Sequence, residues 1–114
     1  MSRVVDIGAG MFWKCKKITS IIIPDTATRI GNKTFFECES LVSTEIPESI
    51  TEIEYSAFEG CLSLKEILIP NSVEKIGNNA FNRCDNLQRI KLCNKNIIVG
   101  ANVFPKQAEI IHLF

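Results

Sequence analysis

The chain has 114 residues, room for one folding unit but hardly two, since domains usually run to about 100–200 residues. Thirteen Lys and Arg balance thirteen Asp and Glu. The basic excess of a nucleic-acid binder is therefore missing, as is a polybasic membrane-surface segment. At 46% hydrophobic residues wholesale disorder is excluded. No apolar run approaches the roughly 18–20 residues needed to cross a bilayer, and Met1-Ser2-Arg3-Val4-Val5-Asp6 reaches an acidic residue before a leader peptide could develop, so the chain reads as soluble and untargeted.

One period governs the sequence. Prolines 24, 47 and 70 each follow an Ile in steps of 23, phenylalanines 12, 35, 58, 81 and 104 keep the same step, and cysteines 15, 38, 61 and 84 each stand three residues after a Phe. The repeat reads L-x-x-I-x-I-P-x-S-V-x-x-I-G-x-x-A-F-x-x-C-x-x. A single repeat domain over 1–114 divides into a partial copy at 2–17, full copies at 18–40, 41–63, 64–86 and 87–109, and a truncated copy at 110–114.

In chain order, the partial copy places Val4, Ile7, Gly8, Phe12 and Cys15 in the right columns. Copy 18–40 carries Ala27 and Thr34 for Val and Ala, and copy 41–63 carries Thr44 and Glu54 for Ile and Gly. Copy 64–86 is the clearest, whereas copy 87–109 decays at Cys93 for Pro, Asn96 for Val and Gln107 for Cys. Ile110 and Leu113 open the last.

Within each copy the end of L-x-x-I-x-I alternates apolar, variable, apolar, the period of a strand with one face inward. Pro then ends the ladder because it has no N–H to donate. V-x-x-I-G returns the chain along a second side, with Gly permitting a tight backbone path. A-F-x-x-C sets Phe and Cys one helical or 3₁₀ turn apart. One copy cannot bury its own apolar column, and stacked copies make the columns continuous. The expectation is a right-handed α/β solenoid of about four to five coils, with one parallel strand per coil and short helical or 3₁₀ turns.

This pattern resembles the BspA-like leucine-rich repeat, LxxIxIPxSVxxIGxxAFxxCxx, over residues 2–114, with eight or nine columns agreeing in three successive copies. The resemblance implies a cell-surface or secreted protein of the kind found in bacteria and some protists, used in adhesion to host matrix or other cells.

Solenoids need polar terminal caps, and none is visible: Ser2 enters mid-coil and Leu113-Phe114 stops inside a strand. Either the chain is a fragment of a longer array, the preferred reading, or self-association covers its ends. Lys95, Asn96 and Lys106 make the fourth coil more polar, like an incipient cap.

Candidates for chemistry are few. Five cysteines without a C-x-x-C pair argue against zinc. In-register Cβ vectors run parallel instead of converging on a disulfide, so the column reads as buried, apolar thiols. Cys93, in the Pro column, is the more reactive thiol. His112 reads as a surface histidine, unsuited to a Cys93–His112 nucleophile pair. Gly8-Ala9-Gly10 resembles a phosphate loop but has Trp13 at the third Gly. Asp6, Glu37, Glu48, Glu52, Glu54 and Asp85 show no convergent pair, and Asn32-Lys33-Thr34 is a glycosylation sequon at a position expected to be exposed. No enzyme activity, metal or cofactor is expected.

Function is therefore expected on the outward positions of each L-x-x-I-x-I. The fifth-position column reads Ile22, Glu45, Leu68, Lys91 and Phe114; the second Thr19, Val42, Lys65, Gln88 and Ile111; the third Ser20, Ser43, Glu66, Arg89 and His112. Ile22, Val42 and Leu68 beside Glu45, Lys65, Glu66, Arg89 and Lys91 have the mixed composition of a protein-contact patch, although isolated exposed apolar residues are ordinary and the charges can pair across strands. Trp13, next to Phe12, is a separate interface anchor. The expectation is a non-catalytic module that binds a protein partner through the sheet face, without nucleic-acid binding or membrane insertion. The alternative is a structural spacer within a longer repeat protein.

Overall fold

In the computed structural model, which describes residues 8–114, nine short strands follow in chain order: β1 (Ser20–Ile22), β2 (Arg29–Ile30), β3 (Ser43–Glu45), β4 (Glu52–Ile53), β5 (Glu66–Ile69), β6 (Lys75–Ile76), β7 (Arg89–Leu92), β8 (Ile98–Val99) and β9 (Glu109–His112). Ser2, Val4, Asp6 and Ile7 lie outside the described residues. Odd-numbered strands come from the I-x-I segments, even-numbered ones from V-x-x-I. Every pairing is parallel, and the step of 23 is the register: Ser20 lies opposite Ser43, Glu52 opposite Lys75, Glu66 opposite Arg89. The result is a parallel-strand solenoid of about four turns.

Inward columns are continuous from coil to coil. Ile23, Ile46, Ile69 and Leu92 are buried, as are Leu41, Leu64 and Leu87, and Ile30, Ile53 and Ile76. The phenyl rings form a ladder with centroids 5.5 Å apart for Phe12 and Phe35, 5.0 Å for Phe35 and Phe58, 5.2 Å for Phe58 and Phe81, and 6.2 Å for Phe81 and Phe104. Proline ends strands as expected, and Cys93 shows why: its N–H donates to the Ile69 carbonyl at 3.2 Å, a bond that proline in the same column cannot make.

Three expectations are corrected. Among the described residues there is no helix, so the helical or 3₁₀ turns at A-F-x-x-C are absent. Two left-handed residues per coil replace them: Gly10, Lys33, Ser56, Asn79 and Asn102 in one column, Lys14, Glu37, Gly60 and Arg83 in another, with φ between 54° and 77°. This zigzag aims alternate N–H groups at the following coil instead of back along the chain; in the second coil Ser56, Phe58 and Gly60 donate to Asn78, Ala80 and Asn82 at 2.8–3.0 Å. Bonds flanking the strands run the other way, as when Thr51 donates to Thr28 and Gly77 to Ile53 in the preceding coil.

The second correction concerns Asn96. It is exposed, and Ile97 packs against the core instead, its N–H closing on the Asn94 carbonyl at 3.3 Å as Val73 closes on Pro70 at 3.1 Å. Asn94 stands one residue beyond the usual Pro column, and its side-chain amide donates to the Val73 carbonyl at 3.0 Å. The third concerns the final copy. β9 pairs with β7 after a step of 20: Glu109 faces Arg89, Ile110 faces Ile90, Ile111 faces Lys91 and His112 faces Leu92. The connection after Phe104 is three residues shorter, and Ala108 closes it on Pro105 at 3.1 Å. Gln107 Nε2 donates to the Cys84 and Leu87 carbonyls there at 3.0 and 3.1 Å. In the last coil the third outward position is thus Glu109, not His112, and the fifth is Ile111, not Phe114.

Candidate binding surface

Solvent meets the odd-numbered strands along three columns set by strand alternation. Ile22 is 92% exposed, Leu68 47% and Val42 45%, and Thr19, Ser20, Ser43, Glu45, Lys65, Gln88 and Arg89 are exposed with them. Glu66 and Lys91 are half-buried.

This face is not one sheet. β1 pairs with β3, and β7 pairs with β5 on one side and β9 on the other, but no ladder joins β3 to β5. Copy 41–63 also departs from the repeat here, Thr44 holding an inward Ile position. A hydroxyl there must find a partner, and it donates to the Ile21 carbonyl of the preceding coil at 3.3 Å. The bond ties β3 to β1, while no equivalent reaches towards β5. A groove of about 540 Å³ lies against β1, β3 and the residues that follow them, and reaches Leu68 of β5. Its apolar surface comes from Ile21, Ile22, Ile23, Ile46, Pro47 and Leu68, and its polar groups from Ser20, Ser43, Thr44, Glu45 and Glu48.

Charge is distributed unevenly over the face. Glu66 accepts from Lys91 Nζ at 2.9 Å and Arg89 Nε at 3.5 Å. Lys91, and behind it Arg89, hold the Glu66 carboxyl below the usual carboxylate range. Among the described residues Glu45 and Glu48 form no ion pair. Of the expected contact residues, Ile22, Glu45 and Leu68 converge on the groove; Lys65, Glu66, Arg89 and Lys91 lie over the third and fourth coils, and Val42 lies outside the lining. Ile21, Thr44, Ile46, Pro47 and Glu48 were missed, and the one signal that pointed to them was Thr44 interrupting an Ile column.

Trp13, 53% exposed, belongs elsewhere. It sits on the turn side, its ring 6.4 Å from Phe36 and beneath Lys14 Nζ at 5.1 Å. Lys33 lies over Phe36 and Tyr55 at 5.4 and 5.8 Å. Arg83 clamps Glu37 at 3.0 Å and Glu59 at 3.4 Å, which holds the Glu37 carboxyl below the usual range and raises Arg83 above its own. The sequence hid this cluster because its columns, that of Trp13, Phe36 and Glu59 and that of Lys14, Glu37 and Arg83, hold a different residue type in each coil.

All five cysteines are free. Cys38, Cys61 and Cys84 are buried, and their thiols donate to the Phe12, Phe35 and Phe58 carbonyls at 3.1–3.2 Å. Burial pushes the Cys38 thiol up to about 11, and the Cys84 thiol together with burial pushes Cys61 higher still; neither is a nucleophile near neutral pH. His112 packs against Phe114 at 5.0 Å, and no hydrogen bond joins it to Cys93 among the described residues. In the sequon, Asn32 is exposed, but its Oδ1 accepts from the Tyr55 N–H at 3.1 Å. Thr34, expected to be exposed, is buried, its hydroxyl donating to the Gly8 and Gly31 carbonyls at 2.9 and 2.8 Å. Among the described residues no group of three or more His, Cys, Asp or Glu is placed to hold a metal.

The family model of the BspA type leucine rich repeat region matches residues 5–113 in six copies. Among solved structures, a leucine-rich repeat protein from Bacteroides ovatus is 35% identical with a TM-score of 0.87, covering 96% of this chain and 29% of its own. The leucine rich repeat protein of T. pallidum is 27% identical with a TM-score of 0.75, covering 96% and 45%. A leucine rich cell surface protein from Faecalibacterium prausnitzii is 28% identical with a TM-score of 0.77, covering 93% and 31%. The chain thus spans less than half the length of each. No curated protein matches the sequence significantly. With the repeat matched over almost its whole length and the same coil in these structures, the chain belongs to the BspA-type leucine-rich repeat proteins.

Proposed function

We propose that the chain is a non-catalytic protein-interaction module of a cell-surface or secreted protein, acting in adhesion through the face of the odd-numbered strands. The observation that carries this is the groove lined by β1, β3 and Leu68, where the 92%-exposed Ile22 and half-exposed Leu68 border an apolar depression on a face with many polar and charged side chains. Apolar surface held open beside a polar rim is what a protein partner can desolvate. The likeness to a cell-surface leucine-rich protein supports the location. Ile22, Leu68 and Glu45 supply the contact; Arg89 and Lys91, neutralised by Glu66, form the rim.

The test uses beads carrying the chain, exposed to intact bacterial or host epithelial cells, beside a variant with Ile22→Ala, Leu68→Ala and Lys91→Ala. Interface anchors cost about 2 kcal/mol or more when truncated, so the variant should retain at most about a tenth of the cells. Equal retention by both chains would favour a spacer with no ligand of its own.

A further inference from the structure

We infer that the groove lined by β1, β3 and Leu68 takes a basic, apolar peptide segment of a protein partner, an aliphatic side chain entering it and a Lys or Arg meeting Glu45 and Glu48. This deepens the proposed function and rests on it.

Three observations converge. The face of β1 and β3 carries a depression of about 540 Å³, room for side chains of an extended segment and not merely for water. Its lining is largely aliphatic, from Ile21, Ile22, Ile23, Ile46, Pro47 and Leu68. Such a lining offers nothing to a polar ligand without an apolar part. Its only charged groups are the carboxylates of Glu45 and Glu48, and no cation of the described residues pairs with either. Of the cations on this face, Arg89 and Lys91 are engaged by Glu66 at 3.5 and 2.9 Å, and Lys65 lies outside the lining. A chain with zero formal charge thus carries a local acidic rim beside an apolar lining. Complementary charge steers association and rejects partners of the wrong sign, so an acidic or purely polar segment is disfavoured here. A peptide fits better than an isolated cation, which would leave the aliphatic lining wet.

Two short fluorescein-labelled peptides test this by anisotropy against the full chain: one of leucine and lysine residues, the other with glutamate replacing each lysine. The leucine–lysine peptide should bind, and the leucine–glutamate peptide should bind at least about tenfold more weakly. The variant Glu45→Gln/Glu48→Gln should lose about tenfold in affinity for the basic peptide, and raising salt to about 0.5 M should erase most of the difference. Glu52→Gln/Glu74→Gln, on β4 and just before β6, should bind like the unaltered chain. Equal binding of both peptides, an unaffected Glu45→Gln/Glu48→Gln variant, or equal weakening by the Glu52→Gln/Glu74→Gln control would each overturn the inference. The underlying reading fails separately: if the Ile22, Leu68 and Lys91 alanine variant loses cell retention while Glu45→Gln/Glu48→Gln keeps it, the surface stands and its preference for basic partners falls. If the alanine variant keeps it, both fall.

Discussion

Phe81 lies between two rings, 5.2 Å from Phe58 and 6.2 Å from Phe104, and is fully buried. Replacing it by alanine removes contacts to both neighbouring coils and leaves a void that stacked backbones cannot easily close. Phe81→Ala should cost about 3–5 kcal/mol, read as a lowered urea midpoint with little change in slope; a loss no larger than that of an exposed substitution would mean that the ladder bears no load. The cysteine three residues on serves the same rung. Its small apolar body fills the column, and its S–H satisfies a Phe carbonyl in the preceding coil. These residues were legible because packing dictates them in every copy. Trp13, Phe36 and Tyr55 were not, since a variable column carries no periodic signal.

Strands and turns differ in how openly the sequence declares them. I-x-I-P states alternation and termination in four residues, and β1, β3, β5 and β7 lie where it predicts. The turn side was misread because seven of its left-handed positions hold residues other than glycine, and a non-glycine side chain with positive φ costs about 1–2 kcal/mol and is rare. Only the bonds to the neighbouring coil offset that cost, and they are invisible within one copy. The last strand misled differently: Ile110 and Leu113 mimic the L-x-x-I spacing, while the shortened connection after Phe104 brings Ile110 opposite Ile90. Between elements, Glu66 straps β5 to β7 and Glu37 joins the turns through Arg83. Both carboxyls titrate lower folded than unfolded. Their contribution is therefore complete above the ordinary glutamate value of 4.5 and is lost as pH falls below it. A Glu37→Gln/Glu66→Gln variant should show a shallower decline of the urea midpoint between neutral and acidic pH than the unaltered chain; an identical decline would remove both pairs from the account.

At the scale of the molecule, each coil packs its core against its neighbours, with Arg83 reaching Glu37 across one coil, so stability is close to a sum over coils and interfaces. Deleting residues 64–86 joins Ser63 to Leu87 and preserves the spacing from Cys61 to the next leucine column. The shortened chain should still unfold in one cooperative urea transition, with a slope lower by about a quarter because less surface is exposed. A broad, non-cooperative transition would show that the coil is not the unit of addition. The architecture was legible because the period is covalently written, whereas its irregularities, at Thr44, Ile97 and the connection to β9, arise where the period breaks. One feature of the regular part bears on how far such a chain can be extended. Peptide groups on the turn side point their N–H ends at the following coil, and those flanking the strands point theirs at the preceding one. Their electric moments therefore oppose one another along the axis, unlike the aligned units of a helix, which leave partial charges at its two tips. Adding coils accumulates no such polarity, so an array of this kind can grow without a rising electrostatic penalty at its extremities.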